Sequence, residues 1–328
     1  MPIRKSYVIG IGGLILLLLL PLFAGTYWQV VLIIGFFHIL LASALRISLN
    51  AGQLNFGVPA FMAIGAYASA LLVMKLDVPW VVAFLSAGVI CAIVSLCIGY
   101  PSLRLKGVYF LILTWGFVEV IRMLSLRWIS LTGGPTGLFG IPPVSLAGIE
   151  FSTKASQYYF VLFMMVVILF VLYRLEHSRF GLTLKSISQA EDLGETVGIH
   201  TYRYKVMAFA VSSFFVGLIG SLWGHSLSLV VPSTFTFWLS AILMVYCFVG
   251  GLRGFAGPVI GAAFLFILTE PLRDLVYFEQ IFYGIVMVLV VLFLPGGLLS
   301  LPAKLLSGVE RLKRLGKTTG TIPQDKPQ

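Results

Sequence analysis

Charge is what this sequence has least of. Asp, Glu, Lys and Arg make up 10% of its 328 residues, against roughly 25% in a soluble globular chain, which excludes a protein surrounded by water on every side. Cysteine is nearly absent as well. Cys91, Cys97 and Cys247 all sit inside apolar runs, so there is no disulfide framework and no metal-ligand spacing, and they read as small buried hydrophobes. His38 and His225 have no acidic or cysteine companion at ligand distance in the sequence, so no metal site is assigned and both read as packing or interface residues. The sequence contains no H-E-x-x-H, no G-x-S-x-G and no carboxylate pair within one apolar run, so no catalytic residue is assigned. Gly316-Lys317-Thr318 imitates the end of a phosphate-binding loop, but Arg311 stands where its first glycine belongs. No buried strand precedes it, as that loop requires.

What remains is apolar. Hydrophobic residues reach 59%, and they fall into runs of membrane-crossing length or slightly less. The candidate spans are Tyr7–Phe23, Trp28–Leu45, Val58–Met74, Val81–Gly99, Val108–Met123, Tyr158–Tyr173, Val206–Gly224, Phe237–Val249, Val259–Leu268 and Ile281–Leu294. The fold class is therefore all-α, a polytopic membrane helix bundle of about ten helices. Tyr7–Phe23 is open to a second reading as a signal peptide, because Arg4 and Lys5 precede its leucine run; nine spans would then remain.

The formal charge of +10 is explained by placement rather than by a nucleic-acid partner. With the N-terminus placed inside, only Lys75, Arg122, Arg127, Lys154 and Arg273 of the 22 basic residues fall on or near the outer face. That is a strong positive-inside bias, and it puts both termini in the cytoplasm. Residues 1–302 read as the membrane domain and 303–328 as a basic cytoplasmic tail that can rest on an anionic leaflet.

One polar stretch interrupts the apolar sequence on the inner side, from Arg174 to Lys205. It carries charges of both signs and the turn formers Gly194 and Gly198, and it is far longer than a simple connection between spans needs to be. It reads as a docking surface. On the other side, Ser125 to Gln157 forms a long outer loop with Thr132-Gly133-Gly134-Pro135 and Ile141-Pro142-Pro143. A G-x-x-x-F-x-x-P pattern occurs twice, at Gly52–Pro59 and Gly251–Pro258, each time opening an apolar span. Repeated halves are common in transporters, though chance in a glycine-rich chain is an equal reading. Irregular backbone at such breaks needs protein or a water-filled cavity around it.

Gly220 with Gly224, and Gly257 with Gly261, lie four apart on single helix faces and mark helix packing. Glu119 lies well inside the fifth span with Arg122 three residues on. Buried membrane charges are expensive and are paired or cavity-facing. A structural ion pair is the favoured reading, and a pathway-lining site is the alternative.

Several separated segments together resemble the M-type permease subunit of branched-chain amino acid ABC importers, over about Leu41 to Leu298. They are Gly52-Gln53-Leu54 through Phe61 with Gly65-Ala66-Tyr67; Pro101 to Gly107; Glu119 with Arg122; Leu131-Thr132-Gly133-Gly134-Pro135; and Ser178-Arg179-Phe180-Gly181 followed by Leu193 to Ile199, Arg203-Tyr204-Lys205 and Ala208-Phe209. Gly57-Val58-Pro59-Ala60 stands where that family has Gly-His-Ala-Ala, and Thr136 replaces its asparagine. The resemblance implies a type II importer-like permease that pairs with a homologous permease. Two ABC ATPases would use ATP and Mg, with no cofactor bound by this chain, and a periplasmic binding protein would deliver the solute. It implies ATPase coupling through Arg179, Gly181, Glu195, Gly198 and Arg203. The solute is expected to be a branched-chain or related amino acid, with urea or short amides as the alternative. A secondary transporter or channel is the competing class.

Overall fold

The structure, a computed structural model, describes residues 17–21, 25–105, 107–146, 149–252, 254–272, 276–293 and 297–300. The basic tail, and most of the span expected at Tyr7–Phe23, lie outside them. The long helices are α1 (Thr26–Asn50), α2 (Val58–Leu76), α3 (Trp80–Ser102), α4 (Val108–Arg127), α6 (Lys154–Glu176) and α9 (Thr201–Leu227). Shorter ones are α5 (Ile129–Thr132), α7 (Arg179–Gln189), α8 (Glu191–Thr196), α10 (Phe237–Gly250) and α11 (Ala256–Thr269), and α12 (Val276–Phe293) completes the series.

Among the described residues, seven helical stretches are long and apolar enough to cross a membrane: the six long helices and the Pro232–Gly250 segment that contains α10. Nine of the ten expected spans therefore correspond to helices, with ends a few residues beyond the apolar runs. Two of the extensions carry a long basic side chain: α4 continues to Arg127, and α6 begins at Lys154. Such side chains place their apolar stems along the helix and their heads in water.

α1 and α9 form the buried centre. α9 packs along α2, α3 and α1, and α1 also meets α6, α10 and α11. Glycine sets the closeness of these contacts. A Cβ on Gly65 of α2 would overlap the backbone of Gly217 on α9, and a Cβ on Gly217 would sit 2.6 Å from Cys91 Sγ and 2.8 Å from the Ala87 carbonyl on α3. Backbone-to-backbone approach of this kind is how helices gain contact in lipid, where burial from water contributes little. A Cβ on Gly220 would strike the Met62 carbonyl, and one on Gly224 would sit 2.9 Å from the Val230 side chain. Gly257 and Gly261 face Gly250, Gly251 and Tyr246 at the α10–α11 contact. Cys91 and Cys247 are buried and donate to the carbonyls of Phe61 and Ala42. Cys97, expected to be buried, is exposed on the outward side of α3 because that helix packs along one side only.

The two ends of the bundle differ. At one end lie α7 and α8. At the other, the loop expected from Ser125 to Gln157 holds β1 (Leu138–Phe139), which pairs antiparallel with β4 (Leu229–Val230), and a hairpin of β2 (Ser145–Leu146) and β3 (Ile149–Glu150). Ile141 and Val144 bury this loop against the helices. The His225 ring ties it down, with Nδ1 2.8 Å from the Pro142 carbonyl and Nε2 3.0 Å from Ser69 Oγ.

Candidate functional site

The stretch from Arg174 to Lys205 folds into the end of α6, two short helices and the start of α9. Ser178 caps α7, its Oγ accepting from the Gly181 amide at 3.4 Å. Apolar residues three apart then place Gly181, Leu184 and Ile187 on one buried face. Gly181 must be small, since a Cβ would run into the carbonyls of Glu176 and Leu175. It therefore seats α7 against α6 and does not itself reach the surface.

α8 is different, for it buries no residue. Leu193 on this otherwise polar helix is 68% exposed, and Val197 just past its end 80%, an arrangement that water disfavours and a partner surface would relieve. Gly198 closes it at φ +86°. The Gly198 amide donates to the Glu195 carbonyl and the Ile199 amide to the Gly194 carbonyl, both at 3.0 Å, the paired bonds of a left-handed helix terminus that favours glycine. A Cβ on Gly198 would meet nothing within 4 Å, so the glycine serves the turn rather than packing within this chain.

The remaining sequence-selected residues take separate places. Glu195 accepts from Thr201 Oγ1 at 2.7 Å, and Lys205 pairs with Glu191 at 2.6 Å. These two links tie α8 to the start of α9. Arg179 and Arg203 are exposed, and Arg203 borders an open cleft of about 370 Å³ whose walls include Glu195, Gly198 and Tyr202. α8 with its turn thus stands off the bundle as a small knob carrying apolar tips, with a cleft beside it.

Beneath the knob lies a charge cluster that the sequence did not single out. Arg46, four residues before the end of α1, is 1% exposed. It grips Glu176, the last residue of α6, through Nε to Oε2 at 2.8 Å and Nη2 to Oε1 at 2.9 Å. Lys185 of α7 approaches the same carboxylate, its Nζ 2.8 Å from Oε1. A bidentate guanidinium–carboxylate contact is the strongest form of such pairing.

Glu119 and Arg122 do meet on α4, at 2.7 Å, but their side chains are 37% and 26% exposed in this chain. α4 is the least covered of the long helices. Trp115, one turn earlier on the same side, is exposed too. At Trp115 the bundle holds an irregular feature. The chain between α1 and α2 runs inward without helix, and hydrogen bonds involving side chains tie it to α4, α9 and α10. Gln53 Nε2 donates to the Lys205 carbonyl at 2.9 Å, the Phe56 amide to Thr114 Oγ1 at 3.2 Å, and Ser240 Oγ to the Phe56 carbonyl at 2.5 Å. Phe56 stacks on Phe237, the first residue of α10, at 5.3 Å, and Phe237 lies 4.9 Å from Trp115. Thr114 is six residues into α4, so this meeting lies about 9 Å along that helix. Non-helical backbone at such depth is tolerated only where protein surrounds it, as here. Both echo segments begin on a left-handed glycine, Gly52 at φ +74° and Gly251 at φ +100°. Among the described residues no three His, Cys, Asp or Glu side chains gather as a metal site.

A bundle of apolar helices with a polar knob at one end is the outline of a transporter subunit, and comparison with known proteins gives the family. The profile described as "Branched-chain amino acid transport system / permease component" matches residues 29–293. The chain belongs to this permease family. It is a multi-pass membrane protein and a transporter component. The high-affinity branched-chain amino acid transport system permease protein LivM of Escherichia coli (strain K12) is 31% identical over 288 residues, covering 80% of this chain and 68% of LivM. LivM of Salmonella typhimurium is 30% identical with the same coverage. A putative glucose ABC transporter permease protein, TsgC13 of Haloferax volcanii, is 25% identical over 189 residues, covering 53% of this permease and 55% of that protein. No solved structure matches.

Proposed function

We propose that this permease imports branched-chain or related amino acids across a bacterial inner membrane. It works with a second, homologous permease, two ABC ATPases and a periplasmic binding protein. The observation that carries the reading is α8, a polar helix with Leu193 exposed at its surface and exposed Val197 and left-handed Gly198 at its end, at one end of a bundle whose family is a transport permease. The apolar tips of α8 fill a groove on the ATPase, and Arg179 and Arg203 supply charge beside them. ATP and Mg belong to the ATPases. The α7–α8 end and both termini face the cytoplasm, where the basic residues concentrate. The β-hairpin end receives the binding protein, which sets most of the specificity.

Closure of the ATPases swings the permeases between inward- and outward-facing states. The Glu119–Arg122 face of α4 is half-exposed in one chain. A charged face open to lipid would be costly, so it turns toward the second permease or the solute path. Amino acids are favoured over sugars because the two LivM proteins match over more of the chain and at higher identity than the glucose-transporter relative.

The test is reconstitution of the full complex in proteoliposomes with labelled leucine and ATP. Uptake that needs ATP and the binding protein supports the reading, and competition by urea, acetamide or glucose identifies the solute class. Leu193→Asp and Gly198→Asp should each weaken ATPase retention without lowering the amount of inserted permease. ATP-independent uptake, or full ATPase retention by both variants, would overturn it.

A further inference from the structure

The proposed docking knob is linked to the rest of the molecule by a feature that neither the family match nor the knob itself accounts for. α7 carries α8, and it touches α1, α6 and α9. Along the chain it follows α6 through the turn at Ser178 and continues into α8 through Ala190. Its link to α1 runs through charge. Glu176 receives Arg46 from α1 on two atoms and Lys185 from α7 on one, all at 2.8–2.9 Å. A carboxylate at the end of one helix thus joins three helices, and one of them is the central helix of the bundle.

The surroundings reinforce this geometry. Glu176 and Arg46 are enclosed, at 4% and 1% side-chain exposure, so water competes little for either group. Gly181 locks the start of α7 against the Glu176 and Leu175 carbonyls, and the Gly52 turn after α1 runs beside Ser188 near the end of α7, where a Cβ added to Gly52 would lie 3.6–3.7 Å from it. α7 is therefore seated closely at its start, flanked at its end and pinned in the middle. One hydrogen-bonding nitrogen of Arg46, Nη1, has no partner. The two cations exceed the single carboxylate, so an arrangement that moves Lys185 away still leaves a neutral Arg46–Glu176 pair. Lys185 is 33% exposed and has water to move into.

We infer that the Arg46–Glu176–Lys185 cluster is the mechanical clamp that passes displacement of the ATPase-docked α7–α8 element to α1, with Lys185 as its releasable arm. The inference rests on the importer reading given above. These are positioning residues: they touch neither solute nor nucleotide, and they act by making α7 and α1 move as one body. A role in folding alone would lower the amount of assembled complex and leave the work done per ATP unchanged. A clamp would do the reverse when only Lys185 is removed, because the buried pair survives.

The experiment uses the complete complex in proteoliposomes, with uptake and ATP hydrolysis measured in the same preparation. Lys185→Met is compared with Lys185→Arg, which keeps the charge, and with Arg104→Gln, which removes a charge from an exposed residue between α3 and α4. The expected result for Lys185→Met is normal assembly with solute moved per ATP reduced about 5-fold or more, the lower end of ordinary coupling between sites. Lys185→Arg restores the ratio and Arg104→Gln leaves it alone. A ratio for Lys185→Met equal to that of the unaltered complex overturns the clamp, as does an equal loss in Arg104→Gln. If Lys185→Met assembles poorly, the ratio is normalised to assembled complex, and an unchanged normalised ratio again overturns it. Absence of ATP-driven uptake in the unaltered complex refutes the importer reading instead.

Discussion

Glu176→Gln separates a buried charge from its partner while leaving the shape of the site intact. Glutamine has the same outline as glutamate and keeps one acceptor oxygen, so the contacts of α6 with α1 change little and the effect is almost wholly electrostatic. Arg46 is then left with its positive charge at 1% exposure, facing Lys185 across a neutral amide. Removing one member of a buried pair costs about 3–5 kcal/mol. The Lys185 share is discounted, since that side chain is a third exposed and its ammonium can extend to water on its flexible stem. Arg46 has no such exit, with buried α1 residues around it from Ala42 to Ser48. The expected loss is therefore about 3 kcal/mol. For a chain of this size that corresponds to a fall in apparent Tm of about 4 °C, by the scaling of soluble domains.

The assay is the fraction of permease that stays monodisperse after heating in detergent, followed by size-exclusion chromatography of a fluorescent fusion. Arg46→Met with Glu176→Met supplies the second arm. Replacing both members of a buried pair by apolar groups of similar volume is neutral or stabilising in other proteins, so the double variant should recover most of the loss. An unchanged Tm in Glu176→Gln, or a double variant no better than the single one, would refute the reasoning.

Gly217→Val should abolish assembly, because a side chain there strikes Cys91 Sγ and the Ala87 carbonyl and overpacking costs about 1–3 kcal/mol; Gly116→Ala, in open space on α4, is the tolerated control, read by complex yield. Cysteines at Ser188 and Thr136, both exposed at opposite ends of the bundle, should react with an impermeant maleimide only from the cytoplasmic and only from the outer side respectively; the opposite pattern inverts the topology. Glu119→Gln should destabilise the isolated permease less than Glu176→Gln, since its pair is partly exposed. If α4 meets the second permease, Glu119→Gln should lower complex yield and removal of both charges should restore it; normal assembly with reduced uptake would assign the pair to the solute path.

The helices were legible because membrane spans announce themselves locally. Val108–Met123 and Tyr158–Tyr173 could be read from apolar runs alone, and the observed Val108–Arg127 and Lys154–Glu176 differ only by terminal turns whose polar heads break a run without ending a helix. The break at Gly52–Pro59 was equally visible, since glycine and proline act where they stand. That Phe56 from this break would meet Thr114 and Ser240 was not visible, because side chains 58 and 184 residues away satisfy its backbone. The same limit hid the Gly65–Gly217 contact, although the neighbouring Gly220 and Gly224 drew notice by spacing on their own helix. The β1–β4 pairing joins two dipeptides too short to carry any alternating pattern.

The charges show this limit most clearly. Glu119 and Arg122 attracted attention because three residues on one helix suffice to state the pair, and the structure does bring them together at 2.7 Å. Arg46 and Glu176 lie 130 residues apart, each near the end of its own span, where a charge ordinarily reaches toward water and marks the membrane face. Arg46 therefore counted among the basic residues that orient the chain, and Glu176 as one charge in a polar loop. Both descriptions hold for the chain as it inserts, before α1 and α6 have met, which is when loop charge sets orientation. After folding, the same arginine is enclosed and neutralised, and its position serves the contact between helices. One residue can thus contribute to topology early and to the join between α1 and α7 later. Only the second role requires Glu176, so Glu176→Gln should leave the side from which Ser188→Cys is labelled unchanged even as it destabilises the folded permease.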